Sequence, residues 1–243
     1  MTTKDLYDNL AKNYNEAVKA DKKLLALWRK AERGVATYAD ADKYAVMIGD
    51  KMAAAFDKAI VDAGLAEEVV SADISNALLR NMTKGIDNTV GGFTRRVQAA
   101  VNKRGGVGLS VVDYKRNQSR VDGLVEYVTG RQYSEVQEKM KQNIVNYSQS
   151  VTTGTMRANI SAQEAVGVHA IVERIYDGVG LHDGKDPCEW CMARAGTWTY
   201  DEANRNGVFE RHDGCGCTIT YEIEGDRTQL QTDWKSNTWE YIS

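Results

Sequence analysis

CEWC, at residues 188–191, and HDGCGC, at residues 212–217, hold all four cysteines of this 243-residue chain and one of its three histidines. Thiolate and imidazole are the groups that zinc prefers, four at a time at the corners of a tetrahedron. A C-x2-C turn sets two thiolates on one edge of that tetrahedron, and Cys188 and Cys191 supply it. Beyond twenty intervening residues, His212-x2-Cys215 repeats the spacing with an imidazole in place of one thiolate. Cys217 is a fifth candidate; if it opens a strand with CTITYEIE, it points to the opposite face from Thr218. A four-coordinate site leaves one of the five outside. Cys188, Cys191, His212 and Cys215 are the expected ligands of one structural zinc ion, with Cys217 as substitute.

Other chemistries use the same residues. PCEWC, at 187–191, fits the P-C-x-x-C half of a zinc deaminase, which also needs H-x-E upstream. His169 is followed two residues later by Ile171, and His182 by Gly184, so that signature is missing. A hydrolytic metal needs an open coordination position and a nearby base; five candidate ligands argue for a closed site, and no catalytic residue is expected. A redox C-x-x-C belongs beside a βαβ pattern, which the chain lacks. Two disulfides remain an alternative, because the cysteines are even in number, and free thiols another. His169 reads as a core or edge histidine, His182 as solvated, and Glu189 as a surface carboxylate.

Long helices must position these clips. Leu6, Leu10, Tyr14, Ala17, Leu24, Trp28 and Ala31 recur at helical steps up to Gly34, and Tyr44, Ile48, Met52, Phe56 and Ile60 up to Gly64. Ser71 caps a third helix, which Gly85 and Gly91-Gly92 interrupt. KRGGVG, at 103–108, is a turn, and a fourth segment runs over roughly 111–129. Ser134 and Gln137 form a capping box for a helix reaching about Val166. Beyond Gly167 the pattern changes to short β-rich segments at 168–176, 196–200 and 217–224. The expected fold is α+β: a long-helix body over 1–166, a small β-rich zinc-clasp module over 167–224, and a polar C-terminal tail over 225–243. The N-terminus lacks an apolar secretory region, and no run of eighteen apolar residues exists, so no membrane partner is expected.

The order of these features resembles the C-terminal module of the MuF-like phage head-morphogenesis, or minor capsid, proteins. GTMRANISAQEAVG leads into VHAIVERIYDG, then CEWC, ARAGT and RHDGCGCTITY. In that family a helix and strand precede C-x-x-C, a glycine turn and an H-P-x-C-R-C-like clip; here Asp213 replaces the proline and Gly216 the arginine. The resemblance covers roughly residues 134–222. It implies a low-copy virion protein, in the capsid interior or at the portal vertex, assembled in the host bacterial cytoplasm. Its partners would be the portal and other capsid or scaffold proteins, and some relatives accompany the genome. The 26 residues after Cys217 leave no expected room for the toxin or enzyme domain that some relatives add.

Charge gives DNA contact separate support. Residues 1–165 carry 24 basic and 20 acidic side chains, whereas 166–243 carry 7 and 14. Over 80–120, nine basic residues face only Asp87 and Asp113. Arg95, Arg96, Lys103, Arg104, Lys115 and Arg116 are the candidate contacts with the backbone of double-stranded DNA, through counterion release. A solvated helix face, or contact with an acidic portal or scaffold, is the alternative. A nucleic-acid-binding zinc protein outside any capsid is the competing function.

Overall fold

One carboxylate divides the first apolar stripe. In the computed structural model, which describes residues 2–176, 188–212 and 214–224, helix α1 (Thr3–Ala20) gives way to α2 (Lys22–Glu32) at Asp21. The Asp21 N–H donates to the Val18 carbonyl, and its carboxylate accepts from the Lys23 and Leu24 N–H groups. A short acidic side chain on extended backbone satisfies the orphan amides of a new helix, so the chain turns at little cost. The apolar spacing survives the break: Leu6, Leu10, Leu24 and Leu27 are all buried.

Four more helices follow: α3 (Tyr38–Asp62), α4 (Ala72–Arg104), α5 (Gln118–Val128) and α6 (Tyr133–Glu164). Ser71 caps α4 as expected, its hydroxyl accepting from the Ile74 N–H. The helix then continues through Gly85, Gly91 and Gly92. Glycine weakens a helix interior by about 1 kcal/mol each, but Ile86, Val90, Phe93 and Val97 bury one face completely. Phe93 stacks on Tyr44 with ring centroids 4.2 Å apart. Where α3 crosses α6, a Cβ built on Gly49 would lie 2.7 Å from the Val145 Cα, so glycine lets the helices close.

Two further expected features differ. Residues 111–117 are not helical, because the Asn159 side chain takes both backbone groups of Val112, accepting from its N–H at 2.8 Å and donating to its carbonyl at 2.9 Å. The Ser134–Gln137 capping box does not form. The cap position is Gln132, without a side-chain bond; Ser134 donates instead to Glu67 at 3.0 Å and Gln137 to Asp57. Tertiary acceptors on the 57–67 segment outcompete the local cap.

The remaining elements are β1 (Ala170–Ile175), the single turn α7 (Glu189–Met192), β2 (Gly196–Thr199), α8 (Tyr200–Arg205) and β3 (Thr218–Ile223). They form a small antiparallel sheet of order β2–β1–β3, so the strand that leaves α6 is central. Val172, Ile219 and Tyr221 belong to the same buried cluster as the helices, so body and module share one core. Tyr221 anchors that join. Its phenol accepts from the Gln98 and Gln163 amides at 2.6 and 3.1 Å; Gln98 also donates to Asn102 at 2.7 Å and accepts from Tyr38. The tail over 225–243 and His182 lie outside the described residues.

Candidate metal centre

The single turn α7 carries the first clip. Cys188 occupies its N-cap position, and the Met192 N–H closes the turn on the Cys188 carbonyl at 2.9 Å. The Cys188 N–H donates to the Tyr176 hydroxyl at 2.9 Å, tying the clip to the end of β1. The second clip runs into β3. Gly214 takes a positive φ of 70°, a conformation that suits glycine, and Cys217 immediately precedes the strand.

These elements bring all five candidate ligands together. Cys191 Sγ lies 2.9 Å from His212 Nε2 and 3.8 Å from Cys215 Sγ, and Cys188 Sγ lies 3.2 Å from His212 Nε2. The donors form two triangles that share Cys191: Cys188–Cys191–His212 and Cys191–Cys215–Cys217, each with ligand atoms within 4.8 Å of one another. Cys191, Cys215 and Cys217 are buried; Cys188 and His212 are partly exposed, and Trp190 sits edge-on to the imidazole at 5.2 Å.

The donors divide into two groups of three that a tetrahedral ion would have to draw together, and one edge already has tetrahedral length. Bonds of about 2.3 Å to sulfur and about 2.0 Å to nitrogen give tetrahedral edges of roughly 3.8 Å for S–S and 3.5 Å for S–N. The Cys191–Cys215 edge matches at 3.8 Å, and the two imidazole edges are shorter, at 2.9 and 3.2 Å, as S–H···N contacts. All four cysteines are free thiols. A disulfide needs about 2.05 Å between sulfurs.

The surroundings are cationic, through two arginines to which the ligand spacing gave no pointer. Arg174, on β1, is only 1% exposed. It donates to the Val208 and Glu210 carbonyls at 2.7 and 2.6 Å, and to Cys215 and Cys191 sulfurs at 3.3 and 3.8 Å. Its Nε is buried with no acceptor among the described residues, and its guanidinium lies 5.0 Å from the Trp190 ring centroid. Arg211 donates to the Cys217 carbonyl at 2.7 Å. The Cys215 thiol is held down to about 4 by the Cys217 hydrogen bond, helped by the charges of Arg211 and Arg174. Burial and the Cys215 charge push Cys191 up to about 11, and Cys217 is pushed up by the bond it shares with Cys215.

The signal for Arg174 lay in the strand alternation. Ala170, Val172 and Arg174 share one buried face. An arginine on the inner face of a strand implies a buried acceptor or anion.

The six basic candidates are dispersed in their roles. Arg95 pairs with Asp113 at 2.7 Å, Arg96 lies over the Trp28 ring at 4.7 Å, and Arg104 donates to the Gly34 carbonyl at 3.1 Å. Arg116 turns inward, bonding Asp87 at 3.2 Å and the Thr83 hydroxyl at 2.7 Å. Arg95, Arg96, Lys103, Arg104 and Lys115 remain exposed.

Fold and site together define an α+β protein with a Cys/His group near its C-terminus that could hold a metal ion. No family model, curated protein or solved structure matches the chain. Among the described residues, no helix is long and apolar enough to cross a membrane.

Proposed function

We propose that this chain is a structural minor capsid protein of the head-morphogenesis kind, present in few copies and associated with the portal, and that its Cys/His centre holds one structural zinc ion. The observation that carries the reading is the path of the chain: α6 feeds directly into β1, the central strand of the sheet, and both clips converge beside that strand. This is the element order on which the resemblance to the MuF-like family rests. A sulfur-rich donor set with one imidazole favours zinc over harder cations.

In this role Cys188, Cys191, His212 and a further cysteine would tie the α7 turn to the segment leading into β3. Bound zinc supplies a cross-link, and its binding energy becomes folding energy for a module with little core of its own. The ligands would hold geometry rather than turn over a substrate. The protein would assemble with portal, capsid or scaffold proteins in the bacterial cytoplasm and remain in the virion. The test is co-assembly: the chain mixed with portal oligomers, with elemental analysis of the complex. Co-sedimentation with one zinc per chain supports the reading; a zinc-free chain that ignores portal, capsid and scaffold alike removes it.

The exposed side chains of Lys103, Arg104 and Lys115 favour a second reading, a nucleic-acid-binding zinc protein outside a capsid. That function requires duplex binding that weakens steeply with salt. Flat binding between low and moderate salt would dismiss it.

A further inference from the structure

We propose that Arg174 is the buried counter-charge of the metal centre, and that its single charge sets the ligand group at three thiolates and one imidazole, leaving Cys217 outside the coordination sphere. This deepens the zinc reading above and rests on it.

The argument begins with charge. A guanidinium cannot lose its proton in a protein, so a buried one needs an anion. Among the described residues, the hydrogen bonds of Arg174 reach two backbone carbonyls and the sulfurs of Cys215, Cys191 and Cys217, and no carboxylate. The other buried cation beside the site, Arg211, already has its anion in Asp42 at 2.6 Å. Among the described residues, the anionic partner of Arg174 is therefore the sulfur cluster. A doubly charged cation with three thiolates and a neutral imidazole carries a net charge of −1, which Arg174 cancels. Four thiolates would carry −2 and leave an excess charge in a buried setting.

Geometry selects which cysteine is left out. Cys188, Cys191 and His212 already form one triangle of donors, and a fourth donor must close onto it. Cys215 stands between Gly214 and Gly216, where the backbone has the most freedom to bring a sulfur across. Cys217 is anchored: Arg211 holds its carbonyl at 2.7 Å, and the next residue enters β3. Arg174 bonds the sulfurs of both Cys215, at 3.3 Å, and Cys217, so its charge stays beside the cluster as Cys215 moves, while its other nitrogen stays on the Val208 and Glu210 carbonyls. Arg174 is a positioning residue in this scheme: it reaches the metal only through its ligands.

Cobalt(II) in the full-length chain reads both halves of the proposal. Sulfur-to-cobalt charge transfer in the near ultraviolet counts thiolate ligands, and competition with a chromophoric chelator gives affinity. Cys217→Ser should keep one cobalt per chain with unchanged charge-transfer intensity, whereas Cys215→Ser should lose about a third of it. Arg174→Gln should weaken binding about ten- to a hundredfold, with Arg174→Lys recovering part of that loss because it restores the charge. An intensity loss in Cys217→Ser makes Cys217 a ligand and overturns the ligand assignment; should Cys215→Ser not fold, this variant alone decides the count. Affinity within twofold of wild type in Arg174→Gln overturns the counter-charge. Failure of the wild-type chain to bind cobalt or zinc would instead remove the metal reading itself, and this inference with it.

Discussion

Arg211 and Asp42 meet at 2.6 Å across 169 residues of sequence, with side chains only 2% and 7% exposed. Gln149 adds an amide at 3.5 Å to the carboxylate, and the Thr153 hydroxyl accepts from Arg211 Nε at 3.3 Å. Burial pushes the Asp42 carboxyl up from its ordinary value, while Arg211 pulls it down. The pair pins the residue next to His212 against α3 and α6.

Removing one partner leaves the other charged and buried. Asp42→Ala should therefore cost roughly 3–5 kcal/mol in urea unfolding. The double variant Asp42→Ala/Arg211→Met should be markedly more stable than the sum of the two single changes. Strict additivity would mean that the two groups do not depend on each other.

Glycines inside helices offer an internal contrast. Gly49→Ala forces a methyl against the Val145 backbone at 2.7 Å, so overpacking of about 1–3 kcal/mol should outweigh the gain in helix propensity. Gly92 has nothing within 4 Å of such a methyl, so Gly92→Ala should stabilise by about 0.5–1 kcal/mol. Thermal unfolding of the two variants should move in opposite directions; equal shifts would contradict the close α3–α6 crossing.

Tyr221→Phe tests the join between module and body. It strips the acceptor from the Gln98 and Gln163 amides inside the core. Unsatisfied buried donors cost about 1–3 kcal/mol, and hydrogen exchange should rise in β3 and at the end of α6 together. A rise confined to β3 would mean that the two units open separately.

His169 should report on the α6–β1 junction. Its imidazole bonds Glu164 at 2.8 Å, and that hydrogen bond, with the carboxylate charge, raises its pKa above 6.5. A raised folded value means the contact supports the fold fully below about pH 6.5 and is lost as pH climbs through the folded pKa. NMR titration should place the His169 midpoint above that of Glu164→Gln. Coincident midpoints would remove the contact from solution.

Metal removal should loosen the clasp selectively. Cys188→Ser, or chelation of the wild-type chain, should expose residues 168–222 to protease while α1, α3 and α4 stay protected. Unchanged resistance in both would argue against any ligand role for Cys188.

Much of this was legible in the sequence, and most of the exceptions share a cause. The α3 stripe and the Ser71 cap are local patterns that fold as their spacing implies, and the two clips converge. The break at Asp21 was hidden because the apolar period continues through it. The length of α4 was hidden because the glycines argue against helix until Phe93 and Tyr44 stack. Residues 111–117 read as helix because nothing local announces that Asn159 will capture Val112. Arg116 counted as a surface charge until Asp87, from another turn of the chain, turned it inward. In the last three cases a partner distant in sequence decided between two locally acceptable states.

The shared core has a consequence for how the chain is made. Asp42, Tyr38 and Gln98 lie early in the sequence, yet their partners are Arg211 and Tyr221. While the chain emerges from the ribosome, the first helices can form, but their inward polar groups must stay hydrated until the last strand arrives. A nascent chain halted before residue 211 would present an open, unfinished face, a surface for a chaperone to guard until synthesis brings β3 home.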